Sequence, residues 1–462
     1  MLTRKILVGT VGGKMSNYTP IIGLEIHAEL KTNSKMFCSC ANDPFGATQP
    51  NSYTCPVCLG MPGGLPTANK KAIEWTVKLG LALNCQINHF SKFDRKNYFY
   101  PDLAKGYQIS QYDIPFCFKG KISTSDGEIG ITRIHLEEDT GKLLHDTVAG
   151  KEVSLIDFNR SGVPLVEIVS EPDIKSGSQA KEYGKKLRQI MRYLDIADCK
   201  MAEGGMRLEA NISLQKAGEA DLPNYKVEVK NINSFRFLEQ AIDFEIARQT
   251  KILDEGKVPV QETRGWDSAK NQTFSQRTKE DAADYRYFPE PDIPPIEFTQ
   301  KQLDELAQSL PELPNQVIER WAKDYQVEPR FAAQLSEEKV TTDFLEDVFQ
   351  LGKTANLDLN KLASDIVNKK VQLPAVVKKN QDQQTNQLIK QFQSLHQTQT
   401  IDNTELTIII KDILANNQDA VNKYKEGKTQ VIGFLMGQVM AKLSEKPDPN
   451  QIRTTLILEL SN

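Results

Sequence analysis

Three sets of residues in this 462-residue chain have types and spacings suited to chemistry. The first is four cysteines. Cys38 and Cys40 are followed, after fourteen residues, by Cys55-Pro-Val-Cys58. Two close pairs of thiolates suit a tetrahedral zinc ion, and four sulfur ligands leave no position open for substrate, so such a site is structural. The alternative is a group of four buried or redox cysteines. Cys85, Cys117 and Cys199 have no sequence neighbours and read as packed side chains. The second set is hard ligands. Glu25 and His27 sit on the polar face of an alternating stretch, and His135, Glu137, Glu138 and Asp139 close another. Glu167 lies inside the apolar run PLVEIVS, where an ionised carboxylate is costly unless a cation pairs with it. Two carboxylates and a histidine from separate strands could hold magnesium; the alternative is a set of surface salt bridges. Strict alternation puts Glu137, rather than Glu138, beside His135. The third set is Gly433-Phe-Leu-Met-Gly437, flanked by Lys423, Lys425, Lys428 and Lys442. Small residues with basic flanks suit close approach to an RNA backbone, or helix–helix packing alone. The segment GTVGGK at 9–14 fails as a phosphate loop, because Met15 stands where Ser or Thr is needed.

These residues need elements to position them. Residues 21–30 and 129–137 alternate with a period of two and read as half-buried strands. GGMRLEANISL and YKVEVKNINS read as two more. Apolar residues at helical spacing predict helices over 69–84, 178–196 and 235–254. At Tyr287–Pro295 four prolines in nine residues stop regular structure. Leu, Gln, Lys and Glu then dominate, with a Gln/Asn-rich hinge or loose helix at 379–400. The expected class is α+β. It comprises a sheet-based domain over 18–295 carrying a zinc-binding insertion at about 36–60, a helical domain over 296–397, and a small helical tail over 398–462. Residues 1–17 read as a flexible extension, or as an upstream start before Met15. Charge is balanced, with 57 Lys and Arg against 61 Asp and Glu, so any RNA contact must rest on local patches. No apolar run approaches the roughly 18 residues of a membrane span. An odd count of seven cysteines does not suit a disulfide framework, and the cytoplasm is expected.

The blocks KFDRKNYFYPDLAKGYQISQYD, HLEEDTGK, LIDFNRSGVPLVEIVSEPD, GGMRLEANISL, EVKNINSF, QETRGWD and DYRYFPEPD occur in that order. Together they closely resemble the B-subunit family of the tRNA-dependent amidotransferases, which convert misacylated Glu-tRNA(Gln) or Asp-tRNA(Asn) to the amide. The resemblance is strong over 18–295, weaker through 296–400, and recovers at KYKEGKTQVIGFLMGQVMAK. It implies a cradle of the glutamine synthetase and guanido kinase type on a largely antiparallel sheet. ATP phosphorylates the tRNA-linked carboxylate there, and ammonia from a partner A subunit displaces the phosphate; a C subunit completes the heterotrimer. It also implies magnesium on His27, Glu138 and Glu167, against the alternation that favours Glu137. Glu25, Lys96, Glu137, Arg160 and Arg207 become candidate catalytic groups. Tyr98, Tyr100, Lys105, Gln108, Asn159, Glu209 and Asn211 become candidate substrate contacts. Lys425, Lys428, Gly433 and Gly437 become tRNA contacts. The four cysteines occur in only some relatives, which fits a structural zinc. A self-contained ligase and a non-catalytic zinc-bearing RNA-binding protein are the competing readings; the second leaves Glu167 and the His/Glu strands unexplained.

Overall fold

A computed structural model of the chain describes residues 17–219, 221–278, 284–375, 382–396, 402–443 and 448–461. The expected extension lies outside them except for Asn17. The chain divides into two compact units, one formed by residues up to Ile318 together with 336–339, the other by 319–335 and 340–462.

The first unit is built on a nine-stranded sheet. Its strands, labelled in chain order, are β1 (Tyr18–Glu29), β2 (Gln86–Ile87), β3 (Cys117–Thr124), β4 (Gly127–Glu138), β5 (Pro164–Ser170), β6 (Met206–Lys216), β7 (Val227–Ile232), β8 (Glu262–Asp267) and β9 (Gln272–Thr278). Across the sheet they run β9-β8-β7-β6-β1-β5-β4-β3-β2. All neighbours are antiparallel except β7 and β8. Alternation gives the sheet two unlike faces. Leu24, Ile26 and Ala28 of β1 are buried in the core with Val166 and Ile168 of β5 and Ile134 and Leu136 of β4. Helices α1 (Lys70–Ala82), α2 (Gly177–Tyr193) and α3 (Phe235–Asp254) contribute Ile73, Leu187 and Leu238 to the same core. Each helix begins at a side-chain cap. Asn69 accepts from the N–H groups of Lys71 and Ala72, Ser176 from Gln179, and Ser234 from Phe237, satisfying donors that a helix start leaves free. The α2–α3 contact is close at Gly184, where a Cβ would lie 2.8 Å from the Phe235 ring.

The proline-rich segment is not simply a break. Phe288–Pro289 pairs with Asp94–Asn97, which also pairs with Tyr107–Ser110, forming a small three-stranded sheet. Arg95 clamps the returning segment through a two-point ion pair with the buried Glu290, at 2.7 and 2.9 Å. Ile296–Glu297 then pairs with Phe90–Ser91, and Leu303 of the following helix joins the first core. Among the described residues of the second unit every element is a helix. Trp321 is fully buried with its ring 4.9 Å from Phe349, and Leu406, Ile410, Leu435, Val439, Ile452 and Leu456 form a tail core. The Gln/Asn-rich stretch contains a helix, Asp382–His396, that buries Leu388, Ile389 and Phe392.

One polar knot ties α3 to the far edge of the sheet. Glu245 is fully buried and meets Arg248 at 2.8 Å, Arg264 at 3.1 Å, Gln249 at 3.0 Å and Thr273 at 2.5 Å. Removing Glu245 leaves its two arginines with Glu262, which lies 2.6 Å from Arg264 and 3.7 Å from Arg248. Glu245→Ala is expected to destabilise the first unit by about 2–3 kcal/mol in denaturant unfolding, since Glu262 retains part of the pairing; a loss below about 1 kcal/mol would show that the knot is not stabilising.

Candidate active site

The face of the sheet opposite the helices carries the ionisable residues. Register sets the arrangement, since residues opposite one another in neighbouring strands point to the same side. His27 of β1 pairs with Glu167 of β5, and Glu167 pairs with His135 of β4. On its other side His27 pairs with Arg207 of β6, and Glu25 pairs with Glu209. The result is a row of imidazole, carboxylate and imidazole across three central strands. His27 Nε2 lies 3.2 Å from Glu167, 3.7 Å from Glu25 and 3.8 Å from Glu137. His135 Nε2 lies 3.4 Å from Glu167 and 3.8 Å from Glu137. Two triads have donor atoms mutually within 4.8 Å: Glu25, His27 and Glu167, and His135, Glu137 and Glu167.

Electrostatics follow from this crowding. Burial lowers the affinity of His27 for its proton, but Glu167, Glu137 and Glu25 reverse that and raise its pKa to about 9. Burial opposes charge on Glu167, yet His135 and His27 hold its carboxyl well below the usual range. Burial and then Glu167 push Glu25 up. Lys96 is raised: burial disfavours its charge, and Glu137 and other neighbours outweigh that. Three carboxylates, two imidazoles and an ammonium thus share a small volume. His135 Nδ1 is buried with no hydrogen-bond partner among the described residues. Oxygen-rich donors with one or two imidazoles fit a hard divalent cation.

Alternation holds to the end of β4, so Glu137 takes the place beside His135. Glu138 is drawn off instead: its Oε1 accepts from Lys105 at 2.5 Å and from the Ile109 N–H at 3.0 Å. The structure leaves Glu138 outside the group that holds His27 and Glu167, because the strand does not turn before it. Gln108 donates to the Glu138 carbonyl at 2.6 Å, and Tyr98 reaches Gln108 at 3.3 Å. Tyr100 is exposed. Arg207 and Arg160 converge on the buried Asp139, at 2.7 and 3.7 Å. Glu209 is held by Lys230 at 2.6 Å, and Asn211 follows it on the same face of β6. Asn159 accepts from the Tyr53 N–H and donates to the Gln49 carbonyl, so it binds the cysteine-bearing loop. In the tail, Gly433 and Gly437 are exposed while Leu435 and Val439 face the core; the glycines are not packed inside the module. Lys425 and Lys428 are exposed as well.

Glu29 was missed, although it continues the alternation of Glu25 and His27. Burial, then Asp139, pushes its carboxyl up to about 8. Also missed were Tyr112, Tyr285 and Tyr287, whose proximity depends on the returning strand.

The four cysteines converge, with donor sulfurs mutually within 4.8 Å and Cys55 and Cys58 3.8 Å apart. A tetrahedral centre with Zn–S bonds of about 2.3 Å spaces its sulfurs by about 3.8 Å. The Cys55 N–H donates to the Cys58 sulfur at 3.1 Å. Lys35 adds a positive charge beside the sulfurs. It is fully buried, and its ammonium has only the carbonyls of Tyr53 (2.7 Å) and Phe158 (3.3 Å) and the sulfur of Cys58 (4.0 Å) for company among the described residues. A buried ammonium calls for negative charge: the Cys58 thiol, brought down to about 5 by its hydrogen bond with Cys38 first and by Lys35 among its other neighbours, is one source, and a metal bound by four thiolates would be another. Gly60, at φ +64°, lets this knuckle pack on Lys105, whose Cγ a Cβ would meet at 2.7 Å.

Residues 20–304 match the family model described as the GatB/GatE catalytic domain, and residues 303–460 match the GatB domain. The chain belongs to the GatB family. It is 44% identical to the B subunit of the aspartyl/glutamyl-tRNA(Asn/Gln) amidotransferase of Dehalococcoides mccartyi, over 94% of this chain and 97% of that one. It is 43% identical to the protein of the same name from Ruminiclostridium cellulolyticum, over 96% and 98% of the two chains. For that of Thermoanaerobacter pseudethanolicus the figures are 44%, 96% and 99%.

Two outcomes are expected. With zinc supplied to the four cysteines, Lys35→Met should weaken its retention about tenfold or more against a competing chelator; unchanged metal release would show that Lys35 does not compensate the thiolates. Glu29, raised from 4.5 to about 8, binds in the folded state a proton that the unfolded chain has lost. Its contribution to stability must therefore fall as pH rises across that window. Glu29→Gln, which keeps the neutral form's shape, should flatten the decline of Tm between pH 5 and 9 and raise Tm at pH 9. An unchanged Tm–pH profile would refute the raised carboxyl.

Proposed function

We propose that this chain is the B subunit of a glutamine-dependent aminoacyl-tRNA amidotransferase, and that the His27–Glu167–His135 row is the floor of its phosphoryl-transfer site. The substrate is Glu-tRNA(Gln), Asp-tRNA(Asn) or both. A carboxylate oxygen is a poor leaving group, so the tRNA-linked carboxylate first attacks the γ-phosphorus of ATP and ADP departs. Ammonia then adds to the acyl carbon, the carbon–oxygen bond to phosphate breaks, and a proton leaves nitrogen as the amide forms. Phosphoryl transfer of this kind needs positioning and charge neutralisation more than covalent help. Magnesium, if held by His27, Glu167 and Glu137, the last in place of Glu138, would offset the charge of the phosphates. The ammonium of Lys96, beside Glu137, supplies a fixed positive charge to the transferred group. Glu25, its carboxyl raised and its side chain 29% exposed, is placed to take the proton released from ammonia. Arg207 and Arg160, oriented by Asp139, turn cationic groups towards the acceptor end, and Tyr98, Tyr100, Lys105 and Gln108 line its approach.

The observation that carries this reading is Glu167. A carboxylate at 3% exposure, between two histidines on adjacent strands, is poorly explained as packing. The same reading gives the sheet the role of a cradle of the glutamine synthetase and guanido kinase type. It makes 18–295 catalytic, 296–397 a helical connector and 398–462 a tRNA-gripping tail through Lys425, Lys428, Gly433 and Gly437. The four-cysteine centre takes a structural zinc. The A subunit delivers ammonia, the C subunit completes a heterotrimer, and the assembly works in the cytoplasm. No helix among the described residues is long and apolar enough to cross a membrane.

Glu167→Gln is nearly isosteric and removes one charge. With free ammonia, ATP and misacylated tRNA, which bypass the glutaminase, the variant complex should form amide-tRNA about 10²-fold more slowly. Glutamine hydrolysis by the partner should persist. Amide formation at the wild-type rate in that assay would rule out Glu167 as a member of the site.

A further inference from the structure

Four tyrosines form a continuous aromatic ladder beside Lys96. Tyr112 and Tyr287 are stacked, with ring centroids 4.3 Å apart and planes at 10°. Tyr285 stands edge-on to Tyr287 at 6.1 Å and to Tyr98 at 6.0 Å. Lys96 Nζ lies 5.2 Å from the Tyr285 ring. The ladder is assembled from three separated stretches of sequence, and the small sheet brings them together. Asn97 holds the returning segment with two donors: its backbone N–H donates to the Tyr285 carbonyl at 2.8 Å, and its side-chain amide donates to the Arg286 carbonyl at 2.8 Å. Arg286, between the two tyrosines, has a left-handed backbone at φ +45°, so the chain turns there; the ring contacts place Tyr285 and Tyr287 in the ladder, while Phe288 lies against Arg95.

These rings are not core. Tyr112 is 60% exposed and Tyr285 36% exposed. None of the four belongs to the main buried cluster or is packed on it. Yet the ladder adjoins the acidic and histidine floor: the Tyr287 phenol is pushed up to about 12, by burial first, with Lys96 opposing and Glu137 and Glu167 adding to the rise. Flat aromatic faces next to a lysine and a candidate cation site have the chemistry of a nucleotide seat. A base stacks on the rings while phosphates meet the positive groups.

We propose that the Tyr112–Tyr287–Tyr285 ladder stacks an adenine base and so positions the phosphoryl-transfer substrates over the sheet. This deepens the proposed function and rests on it, since both ATP and the 3′ end of tRNA carry an adenosine. The ring faces, rather than the hydroxyls, do the stacking. Tyr112, the most exposed of the ladder, forms its outer edge.

The test uses the assembled amidotransferase with free ammonia as donor, and measures KM for ATP and for misacylated tRNA separately. Tyr112→Leu and Tyr287→Leu should each raise one of the two KM values roughly tenfold, within the range that loss of one base–aromatic stack produces. kcat should change much less, and Tyr287→Phe should stay within about twofold of wild type. A rise confined to ATP assigns the ladder to the nucleotide; a rise confined to tRNA assigns it to the terminal adenosine. Both KM values unchanged in both leucine variants would overturn the proposal, as would Tyr287→Phe behaving like Tyr287→Leu. Should Tyr287→Leu fail to assemble, the exposed Tyr112→Leu variant decides alone. A wild-type complex that forms amide without ATP would count against the proposed function instead. In that event, quenching of a 2-aminopurine ribonucleotide by the wild-type chain still reads the stack: loss of quenching in Tyr112→Leu supports the ladder, and equal quenching in both refutes it.

Discussion

The first unit depends on how the ionised Glu167 is accommodated in the middle of a β-sheet. Its strand is otherwise apolar and buried, and a bare carboxylate there would be expelled or protonated. Two imidazoles in register, one on each neighbouring strand, permit the charge. The register therefore has an electrostatic as well as a hydrophobic reason. A slip by one residue would turn the histidines into the helix-covered core and leave the carboxylate alone.

The same alternation separates two tasks. One face of β1, β4 and β5 supplies Ile26, Ile168 and Leu136 to the core under the helices. The other face is free to hold charge, because the core is already complete without it. Around the central row, secondary pairs restrain the next tier of groups: Asp139 gathers the two arginines, and Glu138 fixes Lys105. The cysteine knuckle then braces the Lys105 loop, through Gly60, and the 158–162 loop, through Lys35 and Ser161.

Much of this could be read from the residues alone, where the interaction is local. Strand periodicity put Glu25 and His27 on one side and singled out Glu167 as misplaced. The cysteine spacing pointed to a metal. Alternation also favoured Glu137 over Glu138, and the structure follows alternation. What escaped depends on distant contacts. Nothing near Pro289 or Ile296 in sequence says that each will find a partner strand some two hundred residues earlier, so the chain beyond the prolines looked purely helical and the tyrosine ladder was invisible. The raised carboxyl of Glu29 needed Asp139, which lies just past the end of β4. The spacing of Gly433 and Gly437 was plain, but which side of the helix met the core was not.

The burial of Lys35 has a consequence for how such proteins can diverge. Its ammonium lies 4.0 Å from the Cys58 sulfur, and the side chain is closed to water. If Cys58 is lost, the ammonium keeps only carbonyl partners; if the lysine is replaced first, the Cys58 sulfur loses its counter-charge. Neither path is smooth. A relative without the cysteines should therefore carry an uncharged residue at this position. The five side chains form one electrostatic unit, in which a change at one position alters the charge balance of the others.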